Sequence, residues 1–453
     1  MSNDGSSRLA LVNGQVSTVD EHDTAFNPGF VLIRGSRIEA VGAMSDYRPS
    51  SDVEEIDCSE RFVFPGFVNT HTHTFQTLIR GVGEGLPVWE WFSQALDMVV
   101  GNLTVEDARV AAEISAVESI RSGATCLVDY NYPHPKPGMD DVVLEGLRRV
   151  GIRCVLARGI IDTGDVHATV IQNTEAELAE CERLISTFHR SEDDMVRVWL
   201  APYTVFSTSP NAFRRASAMA RRYGTGLTVH ASTPSTLESA RQLFGMSDIA
   251  YEEALGVLGP EVLLVHCTHP DEWDVSAISR HGARISHNPA SNAYLGEGAS
   301  PVVDLMAAGI IVGLGTDGPA SNNNQDMLAV LKLTALIQKL VKEDPSVITA
   351  RQVLRMATID GARCLGWDDQ IGSLEPGKRA DILIVNPWLP NTVAFGDPAA
   401  CLVYSATQEN IETVLINGRI IMKERKFVNI DVTDVMRRAQ HASQELRVRS
   451  GLG

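Results

Sequence analysis

The chain has 453 residues, 44% of them hydrophobic and 21% charged, with a formal net charge of −18. That length supports a large core and more than one domain, and the acidic balance argues against nucleic-acid binding through a basic face. No uninterrupted apolar stretch is long enough to span a bilayer, and the seven cysteines are scattered and never form a Cys-x-x-Cys pair, which fits reduced thiols in the cytoplasm.

The opening residues Met1-Ser2-Asn3-Asp4-Gly5 are polar and acidic, unlike a signal peptide. Short strands follow. Leu9 to Val12 runs into an expected turn at Asn13-Gly14, Val31 to Ile33 runs into Arg34-Gly35, and Ile38 to Val41 comes next. The middle of the chain alternates strand and helix. After the apolar run into His71, strands are expected at Thr125–Val128, Arg153–Ala157, Val196–Ala201, Leu227–Val229, Val262–Val265, Arg284–Ser286 and Ile311–Leu314. Helical stretches such as Val105–Arg121 and Pro210–Tyr223 lie between them. Eight βα units in roughly 300 residues predict an α/β fold, a (β/α)8 TIM barrel. Late in the chain the strand texture returns at 380–385 and 414–422, with Asn417-Gly418 as a hairpin signal. The two chain ends are therefore expected to build one small composite β-sandwich domain. The expected divisions are 1–64 and 373–430 for the sandwich, 65–372 for the barrel and 431–453 for a terminal helix.

The barrel reading sets the positions of the histidines. Alternation along a strand puts His71 and His73 on one face at the end of the first barrel strand. The fifth strand ends at His230, the sixth at His266 and the eighth at Asp317. Barrel chemistry sits at strand C-termini, so these five residues point to a metal site. Three histidines and a carboxylate suit zinc, iron or another borderline divalent ion. The fourth strand, Val196 to Tyr203, offers no lysine or acid near its end to bridge a second ion, so one metal per chain is expected.

The motifs Pro65-Gly66-Phe67-Val68-Asn69-Thr70-His71-Thr72-His73, Val265-His266-Cys267, Ser286-His287-Asn288-Pro289-Ala290-Ser291-Asn292 and Gly315-Thr316-Asp317-Gly318 carry a resemblance over nearly the whole chain. The pattern resembles the amidohydrolase superfamily, specifically its chlorohydrolase and aminohydrolase branch. That branch includes s-triazine hydrolases, adenosylhomocysteine and methylthioadenosine deaminases and guanine-type deaminases. The resemblance implies that His71, His73, His230 and Asp317 hold one divalent metal ion, zinc or alternatively iron, and that His266 touches the reacting group. It also implies a small-molecule substrate and a homo-oligomer. Metal-activated water would attack an electrophilic sp2 carbon, with Asp317 relaying the proton and His266 stabilising charge.

Two departures bear on the substrate. Deaminases of this branch carry a glutamate three residues after the fifth-strand histidine, where it protonates a ring nitrogen. Here Thr233 stands at that position, and Ser232, His269 or a bound water are the candidate donors in its place. The fourth strand ends in Ala201-Pro202-Tyr203 in place of Gly-Pro-His, and Val99-Val100 stands where an acid would grip ribose, so a ribose-bearing substrate is disfavoured. Gln76, Trp89, Trp91 and Arg158 are further pocket candidates, for reading a heterocycle edge, stacking a planar ring and binding an oxygen. The favoured function is displacement of an amino group from a small nitrogen heterocycle. The alternatives are amide, carbamate or urea hydrolysis, and a non-catalytic metal-binding scaffold.

Overall fold

The computed structural model describes residues 8–164 and 166–452. The polar opening Met1 to Gly5 lies outside them. Among the described residues, two sheets organise the chain. The barrel sheet has eight parallel strands: Phe67–Thr72, Ala124–Asn131, Arg153–Ile160, Val196–Pro202, Leu227–Ala231, Val262–His266, Arg284–His287 and Val312–Leu314. They lie in sequence order around the barrel. The second and third strands are buried at every residue, as sheets covered on both faces require. Helices fall where the periodicity places them. Val105–Arg121 starts on a capping box between Thr104 and Asp107, and Pro210–Tyr223 starts on Ser209 and stops at Gly224, whose φ is 59°.

The chain ends form the second sheet. Its path runs from Lys426–Phe427 through Arg419–Lys423, Ile411–Ile416, Ile382–Val385, Phe62–Pro65, Arg8–Ser17 and Ala25–Arg34 to Arg37–Ala43. Val53–Asp57 pairs in parallel with Arg8–Ser17. One face of the sheet buries Leu11, Val31, Ile33, Ile382, Ile384 and Leu415 together. The Asn417-Gly418 hairpin forms as expected, with Ile416 opposite Arg419. Asn13-Gly14 does not turn the chain. It is a bulge inside one longer strand, with Asn13 at φ 65°. Past the bulge, Gln15 and Val16 pair with Phe62 and Val63, and a Cβ on Gly14 would meet Val63 Cγ2 at 2.9 Å. The glycine serves close approach, not reversal.

The sheet is tied to the barrel by Asp381. Its carboxylate receives Arg153 Nε at 2.9 Å, Arg153 Nη2 at 3.1 Å and the Asn417 backbone N–H at 2.7 Å. Arg153 and Asp381 are both buried, so the fork-to-fork geometry satisfies both charges. The terminal helix Val432–Arg449 lies against the barrel, with Ser443 Oγ donating to Leu78 O at 2.6 Å and Arg447 Nη2 to Arg80 O at 2.8 Å. No helix among the described residues is long and apolar enough to cross a membrane.

The barrel closes between its first and eighth strands. Asp317 N–H donates to His71 O at 3.0 Å, and Asn69, Thr72, Thr316 and Gln325 bond side chain to side chain or backbone beside it. Gly313 and Gly315 make this approach possible. A Cβ at Gly315 would lie 2.2 Å from Asn288 Oδ1 and 3.0 Å from His71 N. We predict that Gly315→Ala destabilises the fold by about 1–3 kcal/mol in chemical denaturation, the cost of overpacking a closed core. Gly396→Ala, where a Cβ meets nothing within 4 Å, should shift stability by less than about 1 kcal/mol.

Candidate metal centre and active site

The residues singled out at the strand ends meet in space. His71 lies in the first strand, His73 just past it, His230 one residue before the end of the fifth, and His266 ends the sixth. Asp317 follows the eighth. All five are buried. One ligand atom each from His71, His73 and His230 lies within 4.8 Å of the others, and the same holds for His71, His266 and Asp317. Asp317 Oδ1 is 3.3 Å from His71 Nε2 and 3.4 Å from His73 Nε2, and Oδ2 is 3.9 Å from His266 Nε2.

Backbone carbonyls orient the rings. His73 Nδ1 donates to Tyr130 O at 2.7 Å, and His230 Nδ1 donates to Tyr203 O at 3.0 Å. A carbonyl only accepts, so the proton is on Nδ1 and the Nε2 lone pair faces the centre. Among the described residues neither ring nitrogen of His71 has a hydrogen-bond partner; its Nε2 touches Asp317 out of line for one. A buried imidazole without a partner is costly unless a ligand uses it. Burial drives the His73 pKa down to about 3 and those of His71 and His230 below the ordinary range, with neighbouring imidazoles adding to the shift. Burial alone would raise Asp317, but His71, His266 and His73 outweigh it and hold the carboxyl well below its usual range. Neutral imidazoles around an ionised carboxylate form a donor set that can hold a divalent transition metal. Two members sit in the left-handed region, His266 at φ 77° and Asp317 at φ 59°, strain of the kind concentrated at functional sites.

Above this cluster lies a cavity of about 510 Å³. His73, His230, His266 and Asp317 line its floor, and Trp91, Phe92, Leu96, Phe206 and Leu295 give apolar walls. The expected loop around Trp89 and Trp91 is helical, a run of short turns over Val88–Trp91, Phe92–Leu96 and Asp97–Val100 with a π turn in the middle. Val99 and Val100 are buried in the core.

The pocket candidates separate. Gln76 and Thr233 line the cavity. Gln76 Oε1 also accepts from Ala320 N at 3.2 Å, which fixes the amide. Trp89 is not on the cavity wall. It is 42% exposed and packs from outside on Phe92 and Phe206, while Trp91 takes the lining position. Arg158 is also off the wall, paired with Asp140 at 3.2 Å and with Glu177 in a buried ion cluster. His269 is exposed and bonded to its neighbour Thr268.

Thr233 is the N-cap of helix Pro234–Phe244, and its hydroxyl contacts Ser235 Oγ at 2.9 Å. Two residues escaped the sequence reading. Asn292 Oδ1 receives His266 Nδ1 at 2.8 Å and so orients that ring. Glu297 lines the cavity and is buried. Asn292 ends a motif already singled out. Glu297 stands between two glycines outside any helix, a weak signal that a carboxylate is being aimed.

A sequence profile of the amidohydrolase family matches residues 62–421. The chain belongs to the amidohydrolase family. Both ends of the branch are among its relatives. The 5'-deoxyadenosine deaminase of Methanothermobacter thermautotrophicus is 35% identical over 420 residues, 92% of this chain and 95% of that protein. The 5-methylthioadenosine/S-adenosylhomocysteine deaminase of Syntrophobacter fumaroxidans is 34% identical over 451 residues, 98% and 100% of the two chains. Among solved structures, a zinc-bound adenosine deaminase from Xanthomonas campestris superposes with TM-score 0.91 at 26% identity, covering 97% and 98%. Atrazine chlorohydrolase from Arthrobacter aurescens, complexed with zinc, gives 0.92 at 27%, covering 96% and 100%. As an amidohydrolase with deaminases among its relatives, the chain is a hydrolase acting on carbon–nitrogen bonds.

The Asn292 contact makes a direct prediction. Asn292→Leu frees His266 to rotate, and kcat should fall about tenfold to a hundredfold, as when a site residue loses its orienting partner. Bound metal, measured by elemental analysis, should not change, because Asn292 bonds to no member of the His71, His73, His230 and Asp317 set. An unchanged kcat would show that His266 is positioned by something else.

Proposed function

We propose that this amidohydrolase holds one divalent metal ion, zinc in preference to iron, through His71, His73, His230 and Asp317, and displaces an amino group from a small nitrogen heterocycle. The observation that carries the reading is the convergence of the His71, His73 and His230 imidazoles, with the Asp317 carboxylate beside His71 and His73, beneath an apolar-walled cavity whose floor includes His73, His230 and Asp317. When bound, the ion lowers the pKa of water towards about 7. The chain's own groups do the rest. Asp317 takes a proton from the attacking water and passes it to the leaving nitrogen. His266, near the outer oxygen of Asp317, stabilises charge on the reacting oxygen. Trp91, Phe92 and Phe206 exclude water and pack a planar ring.

A second reading draws on Thr233. Without a carboxylic acid at that position, an amide, carbamate or urea needs no ring proton and remains a competing substrate class. The expected homo-oligomer is supported by Leu336, Leu340 and Val341, which are exposed together on helix Met327–Lys342. Light scattering should give a mass above that of one 49.2 kDa chain; a monomer at all concentrations removes this part of the proposal.

The reaction is tested by ammonia release from aminopyrimidines, aminotriazines, aminopurines and their nucleosides, alongside anilides and ureas. The purified protein should carry about one divalent ion, release ammonia from at least one free heterocycle, and lose both properties in His230→Ala. Turnover confined to anilides or ureas would promote the second reading. Neither metal nor turnover would leave the scaffold.

A further inference from the structure

Glu297 and Asp317 are the two carboxyl groups on the cavity wall. Asp317 sits on the floor among the histidines. Glu297 enters from the loop after helix Pro289–Tyr294, where its own N–H donates to Asn292 O at 2.8 Å. The residues on either side aim it. Gly296 and Gly298 are at φ 68° and 89°, backbone that other residues rarely adopt, and a Cβ on Gly298 would lie 2.6 Å from His269 Cε1. Glu297 is 5% exposed, and among the described residues no lysine or arginine pairs with it. Its contact is across the barrel mouth, where Ser235 Oγ donates to Oε1 at 3.3 Å, beside Thr233. The carboxyl therefore meets the loop that follows His230, at the place where a proton donor is missing from the sequence. Burial raises its pKa above the ordinary carboxyl value, with His266 partly offsetting the shift.

We propose that Glu297 is a catalytic residue that protonates a ring nitrogen of the substrate, taking from the seventh-strand loop the part that Thr233 cannot play from the fifth. The inference rests on the deamination reading above. As the water oxygen bonds to the ring carbon, Asp317 takes one water proton. The C=N electron pair moves to the ring nitrogen, which receives the Glu297 proton. Asp317 then delivers its proton to the amine. The C–N bond breaks as the C=O bond forms, and the remaining hydroxyl proton returns to the Glu297 carboxylate. The products are the lactam and ammonia, and both acids end as they began. Thr233 keeps its structural place as helix cap, and Ser235 steadies the relocated acid.

The test compares the full-length enzyme with Glu297→Gln on two substrates, a neutral aminoheterocycle that the wild type deaminates and its ring-N-methylated cation. Glutamine keeps the shape but has no proton to give. On the neutral substrate kcat should fall about 10²–10⁴-fold, the usual contribution of a positioned general acid, with KM within about threefold and bound metal unchanged. On the cation, whose ring already carries the charge, the loss should stay below about tenfold. Thermal melting of the variant checks that it folds. A neutral-substrate kcat within threefold of wild type, a rise in KM alone, or equal losses on both substrates would overturn the role of Glu297. A wild type that deaminates no heterocycle at all would instead bring down the deamination reading, and this inference with it.

Discussion

The structure turns on how closely the eighth barrel strand approaches the first. Closure places His71 and His73 on one side of a seam and Asp317 on the other, and the Asp317 N–H to His71 O bond fixes their relative height. Strand spacing in a sheet is set by backbone hydrogen bonds, so side chains at the seam must yield. Here they do. Gly313 and Gly315 supply no Cβ, and Asn69, Thr72, Thr316 and Gln325 fill the remaining space with hydrogen bonds. The seam is thus a polar strip inside an otherwise apolar barrel, and its members are bonded to one another as burial requires.

That geometry forces an unusual charge arrangement. Four imidazoles and a carboxylate are brought within a few ångströms and buried. Protonating the histidines would repel and would have to be paid for in lost solvation, so burial keeps His71, His73 and His230 neutral while Asp317 stays ionised. The same conditions that disfavour an empty cluster suit a divalent cation, to which the neutral imidazoles and the carboxylate would offer lone pairs in place of solvent. The left-handed conformations of His266 and Asp317 belong to this arrangement. His266 closes the sixth strand and Asp317 lies three residues past the eighth, and each redirects the chain there at the barrel mouth.

Most of this was legible in the sequence. The eight strands fall within a few residues of their expected places, because each is a short, largely buried run between helical stretches. Helices Val105–Arg121 and Pro210–Tyr223 have the expected ends, since caps are encoded locally. What was not legible depends on contacts distant in sequence. Asn13-Gly14 has the composition of a hairpin turn, and only the pairing of Gln15 and Val16 with Phe62 and Val63 makes it a bulge. Arg158 and Trp89 have the chemistry of pocket residues, but Arg158 is claimed by Asp140 and Glu177, and Trp89 packs behind Phe92 and Phe206. Spacing says where a side chain starts, and the neighbours decide where it ends.

Glu297 shows the same limit from the other direction. Reading a barrel enzyme by offsets from its ligands assumes that each function stays on its own loop. The fold does not require this. All eight strand ends open onto one mouth, so an acid in any of the loops can reach the same atom of a bound ring. Thr233 follows the fifth strand and Glu297 the seventh, yet the Ser235 hydroxyl beside Thr233 meets the Glu297 carboxyl. A threonine at position 233 suits the helix it caps better than a glutamate would, because a short hydroxyl side chain bonds back to the helix N–H groups. Moving the acid across the mouth relieves that conflict: one loop supplies the cap and the other the proton. Substrate preference then depends on where the acid stands relative to His266 and the apolar wall, which differs from a site whose acid follows the fifth strand even when the metal ligands are the same.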